Sequence, residues 1–182
     1  MNIMVKMKLV VVGNGMAGIR AVEELLKLAP DLYDITVFGA EPYPNYNRIL
    51  LSPVLAGEQT LQDIVLNDLA WYEENHIRLH TNKKVVKIDR KAREVIADDG
   101  TREHYDRLLL ATGSNPFVLP LPGKDLEGVL SYRDIYDTEI MIAAASQYQD
   151  AVVIGGGLLG LEAANGLKRR GMNVTVIHVM PL

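Results

Sequence analysis

The segment from Lys8 to Ala29 constrains the fold of this chain more than any other. It opens with aliphatic residues at 9–12 and passes through a G-x-G-x-x-G turn at Gly13, Gly15 and Gly18. Apolar residues then recur at helical spacing, at Ile19, Val22, Leu25, Leu26 and Ala29. In such units the first glycine permits a tight turn, the second lets backbone approach a pyrophosphate, and the third lets the helix pack closely. The helix N-terminus also favours an anion. The motif alone is weak evidence, because glycine-rich turns occur in many folds.

The same pattern occurs a second time. Residues 151–154 lead into Gly155, Gly157 and Gly160, a helical pattern follows, and residues 173–179 are typical of the next strand. Two copies predict two dinucleotide-binding half-folds. The alternative is two strand–turn–helix units that bind no ligand.

Composition and charge argue against several classes of function. The net charge of −4 over 182 residues argues against a nucleic-acid-binding protein, and no apolar run is long enough to span a membrane. Residues 1–8 lack the layout of a signal peptide, so a cytoplasmic location is the default expectation. The absence of cysteine excludes a redox disulfide or a thiolate-held cluster within these residues. The four histidines form no convincing metal set, so we predict no metal site and assign any redox chemistry to an organic cofactor.

Two polar residues after the second predicted strand, residues 34–38, are candidates for nucleotide contacts. Glu41 follows Gly18 at roughly the 20-residue spacing at which an acidic side chain accepts ribose hydroxyls. The alternative is a surface carboxylate in a turn. Arg48 could pair with a pyrophosphate through its two-pronged guanidinium, or it could be a solvated loop residue. Its surroundings, residues 42–53, are rich in proline and asparagine and predict no regular element.

The middle of the chain predicts a helix over 66–75 and short strands at 77–80, 85–89, 94–97 and 101–105. Asp98-Asp99-Gly100 is a tight-turn signal, so the last of these strands form an antiparallel meander. Residues 108–113 predict a buried strand of the parallel sheet. The prolines of 119–123 indicate a crossing between domains, and 134–148 predicts a helix. We expect a first domain over 1–118 and the incomplete start of a second over 119–182, in a fragment of a longer polypeptide.

The order of these motifs resembles the FAD-dependent pyridine nucleotide-disulfide oxidoreductases, flavoprotein reductases with two dinucleotide-binding domains. Gly-Asn-Gly-Met-Ala-Gly is similar to their FAD pyrophosphate loop, Leu-Leu-Leu-Ala-Thr-Gly-Ser-Asn-Pro to their second FAD signature, and Gly-Gly-Gly-Leu-Leu-Gly-Leu-Glu to their NAD(P)H loop. The loop 46–58 is similar to the N-terminal region of the NAD(P)H-dependent nitrite reductase large subunit. The fold so implied is α/β: a Rossmann-like FAD-binding domain with a parallel sheet and an inserted antiparallel β-meander, plus the start of a second, NAD(P)H-binding domain.

The resemblance also implies site residues. FAD would be bound by Gly13, Asn14, Gly15, Met16, Ala17, Gly18, Glu41, Arg48, Val85, Ala111, Thr112, Gly113 and Arg133. NAD(P)H would be bound by Gly155, Gly157, Leu158, Leu159, Gly160 and His178. Glu162 matches a family glutamate near the place where nicotinamide meets flavin, and its alternative is an ordinary acid in the first helical turn.

Two positions depart from related patterns. Pro53 stands where ferredoxin-reductase-like relatives have lysine, which favours the nitrite reductase branch. His178 stands where an acidic residue would mark NADH preference, so the choice between NADH and NADPH stays open.

The activity implied is hydride transfer from NAD(P)H to FAD, with electrons passed to a sirohaem and an iron–sulfur cluster that lie outside these residues. One alternative is a reductase for a small electron carrier such as rubredoxin or ferredoxin. Another is a nucleotide-sensing module without turnover. We expect the fragment alone to be inactive and, through its exposed apolar faces, to be a candidate for homo-oligomer formation.

Overall fold

A computed structural model describes residues 6–179 of the chain, which form two compact units. Of the described residues, the first unit contains 6–46 and Val65–Gly113, and the second contains Asn47–Ile64 and 114–179. The boundary predicted at 118/119 stays a prediction. Residues 1–5, part of the segment predicted to lack a signal peptide, lie outside the described range. Within that range no helix is both long and apolar enough to cross a membrane.

Within residues 6–179 the first unit contains two α-helices and nine strands. They are β1 (Met7–Val12), α1 (Met16–Leu28), β2 (Tyr33–Phe38), β3 (Asn45–Tyr46), β4 (Val65–Asn67), α3 (Leu69–Glu74), β5 (Arg78–His80), β6 (Val85–Asp89), β7 (Glu94–Ala97), β8 (Arg102–His104) and β9 (Arg107–Leu110). The second unit contains α2 (Leu51–Ala56), α4 (Ile135–Ala145), β10 (Asp150–Ile154), α5 (Leu158–Arg169) and β11 (Asn173–Ile177).

A parallel sheet in the order β5-β2-β1-β9 forms the centre of the first unit. β1 is buried from Leu9 to Val12 because sheet neighbours lie on both of its sides. The apolar face of α1 packs on this sheet through Ile19 and Val22, which are almost fully buried. The helix ends at Leu28, shortly before Pro30. The predicted α/β class with a Rossmann-like parallel sheet is confirmed.

The antiparallel meander is also confirmed. Strands β6, β7 and β8 form a separate three-stranded antiparallel sheet. Gly100 closes the hairpin with a positive φ of 86° and donates its N–H to the Ala97 carbonyl. Val95 and Ala97 pack against Val10, Val12 and Phe38 of the central sheet.

Three element predictions were wrong. The helix predicted over 66–75 is limited to α3, because Val65–Asn67 pairs with Asn45–Tyr46 and Asp68 caps the helix start by accepting the N–H of Trp71. The segment 42–53 is regular in part, since it contains β3, a 3₁₀ turn over Arg48–Leu50 and the start of α2. The strand predicted as buried is β9, at the edge of the described sheet, and its Leu110 is 57% exposed.

The second unit packs three helices and a parallel pair of strands around a small core of Leu55, Met141, Ala163, Leu167 and Met172. Leu55 of α2 is fully buried. It lies over Gly166 of α5, where an added Cβ would come within 2.6 Å of the leucine side chain. Glycine at 166 therefore lets α2 pack closely against α5.

Candidate functional site

The first glycine turn lies at the carboxyl ends of three adjacent strands. Gly13 donates its N–H to the Phe38 carbonyl at 2.8 Å, and Ala111 donates its N–H to the Val12 carbonyl at the same distance. Gly13 has a φ of +114°, and a Cβ there would overlap the Ala111 carbonyl oxygen. A Cβ at Gly18 would lie 2.9 Å from Cβ of Ala111. The structure thus brings the first motif and the predicted Ala111 segment into direct contact.

Gly15 and Gly157 occupy equivalent places, each immediately before a helix. Both have ordinary extended backbone, with φ of −90° and −78°, and neither supplies a side-chain cap to its helix. A Cβ added at either position meets no atom within 4 Å. Neither conformation nor packing within the described residues therefore requires glycine here. A ligand that approaches the backbone closely would require it.

Asn14 points its side chain into the protein. Its Oδ1 accepts the Tyr72 hydroxyl at 2.7 Å, and its Nδ2 donates to the Tyr43 carbonyl at 3.2 Å. Tyr72 is almost fully buried, and burial is the main cause that raises the pKa of its phenol well above the usual range. The phenol is therefore a hydrogen donor that holds the second residue of the turn. No local sequence pattern indicates Tyr72, which lies 58 positions from Asn14.

The remaining predicted contacts of the first unit surround this edge of the sheet or lie in the meander. Glu41 follows β2, is half-buried, and accepts the Tyr46 hydroxyl at 2.7 Å. Thr112 and Gly113 follow β9 and are exposed, as is Ala17 in the first turn of α1, which begins at Met16. Val85 opens β6 and pairs with Ala97.

The second glycine turn repeats the backbone path with different support. Gly155 has a φ of +120°, and a Cβ at Gly160 would overlap the Gly155 carbonyl oxygen. Gly156 donates its N–H to Nδ1 of His178 at 3.1 Å. Leu158 and Leu159 open α5 with exposed side chains. His178 thus lies directly against the turn that it was predicted to accompany.

Arg48 and Arg133 meet each other in the second unit. Nη1 of Arg48 donates to the Arg133 carbonyl oxygen at 2.8 Å. The Arg133 N–H in turn donates to Oδ2 of Asp137 at 2.7 Å. Burial and the neighbouring Asp134 raise the pKa of Asp137.

Glu162 is the fifth residue of α5, one turn beyond its start. Its Oε2 accepts the Ser52 hydroxyl at 2.6 Å, and the Tyr132 hydroxyl lies 3.4 Å from the same serine oxygen. Burial, together with the charge of Glu162, raises the pKa of Tyr132. Sequence reasoning missed Ser52 and Tyr132, because contacts across 110 and 80 positions leave no local pattern.

The histidines give no metal centre within the described residues, where no three His, Cys, Asp or Glu side chains cluster suitably for an ion. His80 instead stacks against the Phe38 ring, with centroids 4.7 Å apart.

Comparison with known proteins agrees with this arrangement of motifs. The sequence model of the family described as pyridine nucleotide-disulphide oxidoreductase matches residues 7–182. The chain is 60% identical to a nitrite reductase [NAD(P)H] of Bacillus subtilis over 97% of its own length and 22% of that protein. It is 52% identical to the assimilatory nitrate reductase electron transfer subunit of the same organism, over 96% of this chain and 23% of that one.

A solved structure has a similar fold. NADH:rubredoxin oxidoreductase from Clostridium acetobutylicum superposes with a TM-score of 0.86 at 27% identity, over 97% of this chain and 45% of that one. The chain therefore spans under a quarter of those two curated relatives and under half of this structural neighbour.

Proposed function

Because this chain belongs to the pyridine nucleotide-disulphide oxidoreductase family, we propose that it binds FAD and NAD(P)H and transfers hydride from NAD(P)H to the flavin. The family implies these two cofactors. In the proposed assignment the first glycine turn binds the FAD pyrophosphate and the second binds that of NAD(P)H. We likewise propose 1–118 as the first part of the FAD domain and 119–182 as the start of the NAD(P)H domain.

The main support for this proposal is the open space at the second glycine of each turn. Gly15 and Gly157 have ordinary φ values and open space around an added Cβ, so their own unit gives no reason for glycine. Each precedes a helix whose first N–H groups receive no side-chain cap. A pyrophosphate would accept those N–H groups and benefit from the helix dipole, and it would need the space that a methyl group would occupy.

The other predicted residues have roles that suit this chemistry. Glu41 would accept ribose hydroxyls, and Arg48 would pair with phosphate. Val85, Ala111, Thr112, Gly113 and Arg133 would supply the remaining FAD contacts. The dinucleotide supplies hydride chemistry when bound, and the protein supplies placement and charge. A nicotinamide ring becomes cationic when it loses hydride, so the Glu162 carboxylate would stabilise that charge.

We further propose that the electrons pass to a downstream redox centre and serve nitrite reduction. Relatives at 60% and 52% identity are described as a nitrite reductase and as an electron transfer subunit of assimilatory nitrate reductase. The loop 46–58 and Pro53 support the same branch. A carrier-protein reductase is the alternative, and turnover assays with nitrite, rubredoxin and ferredoxin as acceptors separate the two.

The test of cofactor binding uses Gly15→Ala and Gly157→Ala, each of which serves as the control for the other. We expect Gly15→Ala to lose bound FAD and keep NAD(P)H affinity, and Gly157→Ala to do the reverse. Flavin absorbance of the purified full-length protein and calorimetric titration with NADH and NADPH measure these effects. Two correctly folded variants that both retain both cofactors would overturn the proposal. If the protein binds NAD(P)H but the nucleotide does not bleach the bound flavin, that result would favour a nucleotide-sensing module.

The choice between NADH and NADPH is tested at His178. The imidazole lies beside the second turn, where an acidic side chain would accept the adenosine ribose hydroxyls and repel a 2′-phosphate. His178→Glu should shift the ratio of kcat/KM values towards NADH by about tenfold, equivalent to 1.4 kcal/mol. An unchanged ratio would remove His178 from the specificity site.

A further inference from the structure

A chain of two hydroxyl groups ends at the Glu162 carboxylate. Ser52 Oγ lies 2.6 Å from Oε2 of Glu162 and 3.4 Å from the Tyr132 hydroxyl. A carboxylate only accepts, so the serine proton goes to Glu162 and the serine lone pairs face the tyrosine hydroxyl. The order of donors is thus Tyr132, then Ser52, then Glu162.

We infer that Ser52 and Tyr132 are positioning residues that fix the orientation of the Glu162 carboxylate without neutralising its charge. This inference rests on the proposed function, in which Glu162 faces the nicotinamide ring. It assigns that site two residues that no sequence motif indicates.

The serine is held on a helix that cannot easily shift. Its helix, α2, buries Leu55 completely over Gly166 of α5. Arg170, at the end of α5, donates to the carbonyl oxygens of Leu55 and Val54. The Val54 carbonyl also accepts the Gly57 N–H, so this arginine adds to the backbone cap of α2 and ties the helix to α5. Ser52 and Glu162 therefore lie on two helices fastened to each other.

The chemical type of the group that contacts Glu162 decides how much of the carboxylate's negative charge is cancelled. A lysine or arginine beside Glu162 would cancel much of the field that the carboxylate presents, whereas a neutral hydroxyl holds one oxygen and leaves the negative charge in place. Pro53, next to Ser52, adds no charge. The raised pKa of Tyr132, caused mainly by burial, keeps the phenol protonated as the first donor. The hydroxyl groups thus set the orientation of the carboxylate, and the carboxylate itself supplies the negative charge.

The principal variant is Ser52→Ala in the full-length FAD-loaded protein, with Ser131→Ala as its matched control. Ser131 also donates a hydroxyl to a carboxylate of the same unit, Oδ2 of Asp137 at 3.2 Å. We expect Ser52→Ala to lower the limiting rate of flavin reduction by about tenfold, equivalent to 1.4 kcal/mol of barrier. The Kd values for NADH and NADPH, measured calorimetrically, should stay within about twofold, because the hydroxyl orients Glu162 and does not bind the dinucleotide.

Two further variants separate positioning from folding. Ser52→Thr keeps the hydroxyl and should recover the limiting rate to within about threefold of wild type, and Tyr132→Phe should lower that rate about threefold. A wild-type rate in Ser52→Ala, an equal loss in Ser131→Ala, or a loss confined to Kd would overturn the inference. A wild-type protein that binds NAD(P)H and FAD but reduces no flavin would instead overturn the proposed function, and the inference with it.

The network also has a readout that needs no turnover. Glu162→Gln removes a negative charge near Tyr132 and should lower the pKa of that phenol, measured by ¹³C NMR of the tyrosine ring. Asp137→Asn, which changes the carboxylate that accepts the Ser131 hydroxyl, should alter the pKa of Tyr132 less. An equal shift in both variants would show that Glu162 is not linked to Tyr132 through Ser52.

Discussion

The two glycine turns follow the same backbone path but are supported in different ways. Gly13 and Gly155 have φ values of +114° and +120°. A Cβ at Gly13 would overlap the carbonyl of Ala111, which directly follows β9, whereas a Cβ at Gly155 meets nothing within 4 Å. In the first turn, the side chain of Asn14 accepts the Tyr72 hydroxyl. In the second turn, the backbone N–H of Gly156 donates to the imidazole of His178. The spacing of glycines therefore specifies the turn, and the surrounding strands specify how firmly it is held.

The largest expected effect is a difference in stability between variants at Gly13 and Gly155, the first glycine of each turn. Gly13→Ala adds backbone strain at positive φ and a clash with the backbone of Ala111, and should lower the free energy of unfolding by about 3 kcal/mol or more. Gly155→Ala adds only the strain, about 1–2 kcal/mol. Urea unfolding of both variants measures the difference. Equal losses would mean that contact with Ala111 does not distinguish the turns.

The next effect concerns the side-chain anchor of the first turn. Tyr72→Phe leaves Oδ1 of Asn14 without its donor in a half-buried place, which should cost about 1–2 kcal/mol of unfolding free energy. Bound FAD should weaken as the turn loosens. Tyr105→Phe, a half-buried tyrosine of the same unit, is the control. A Tyr72 variant no weaker than this control would contradict an anchoring role.

The backbone anchor of the second turn should give a smaller and more local effect. His178→Ala removes the acceptor of the Gly156 N–H, a hydrogen bond worth about 1 kcal/mol. Amide exchange at Gly156 should accelerate by about fivefold, with the Gly13 amide unchanged because it donates to Phe38. NMR-detected hydrogen exchange resolves the two amides. Acceleration at both would indicate general loosening of the protein.

The sequence predicted the parts of this comparison that are local. β1, the first turn and α1 occupy one continuous segment, so spacing alone determined their order and type. Residues 51–53, the start of α2, were predicted as irregular together with the loop before them, because the helix is stabilised by Gly166 and Arg170, which lie more than a hundred positions away. The exposure of Leu110 depends on which strands lie beside β9, and that is likewise a property of the sheet. Glu162 was predicted as a site residue, whereas its partners required the structure.

The smallest effect tests a second histidine at a strand end, His80 of β5, whose surroundings differ from those of His178. Burial, and then the charge of Lys83, lower the pKa of His80 in the folded state. The unfolded state, with a pKa of about 6.5, therefore takes up the proton first, so stability present above that pH is lost as the pH falls through the folded value. Because the ring is partly solvated, the loss should stay below about 1 kcal/mol. Urea unfolding of wild type and His80→Gln at pH 7.5 and 5 measures it, and the variant should lose less stability on acidification. Parallel pH profiles would mean that burial and the charge of Lys83 do not disfavour the charged imidazole.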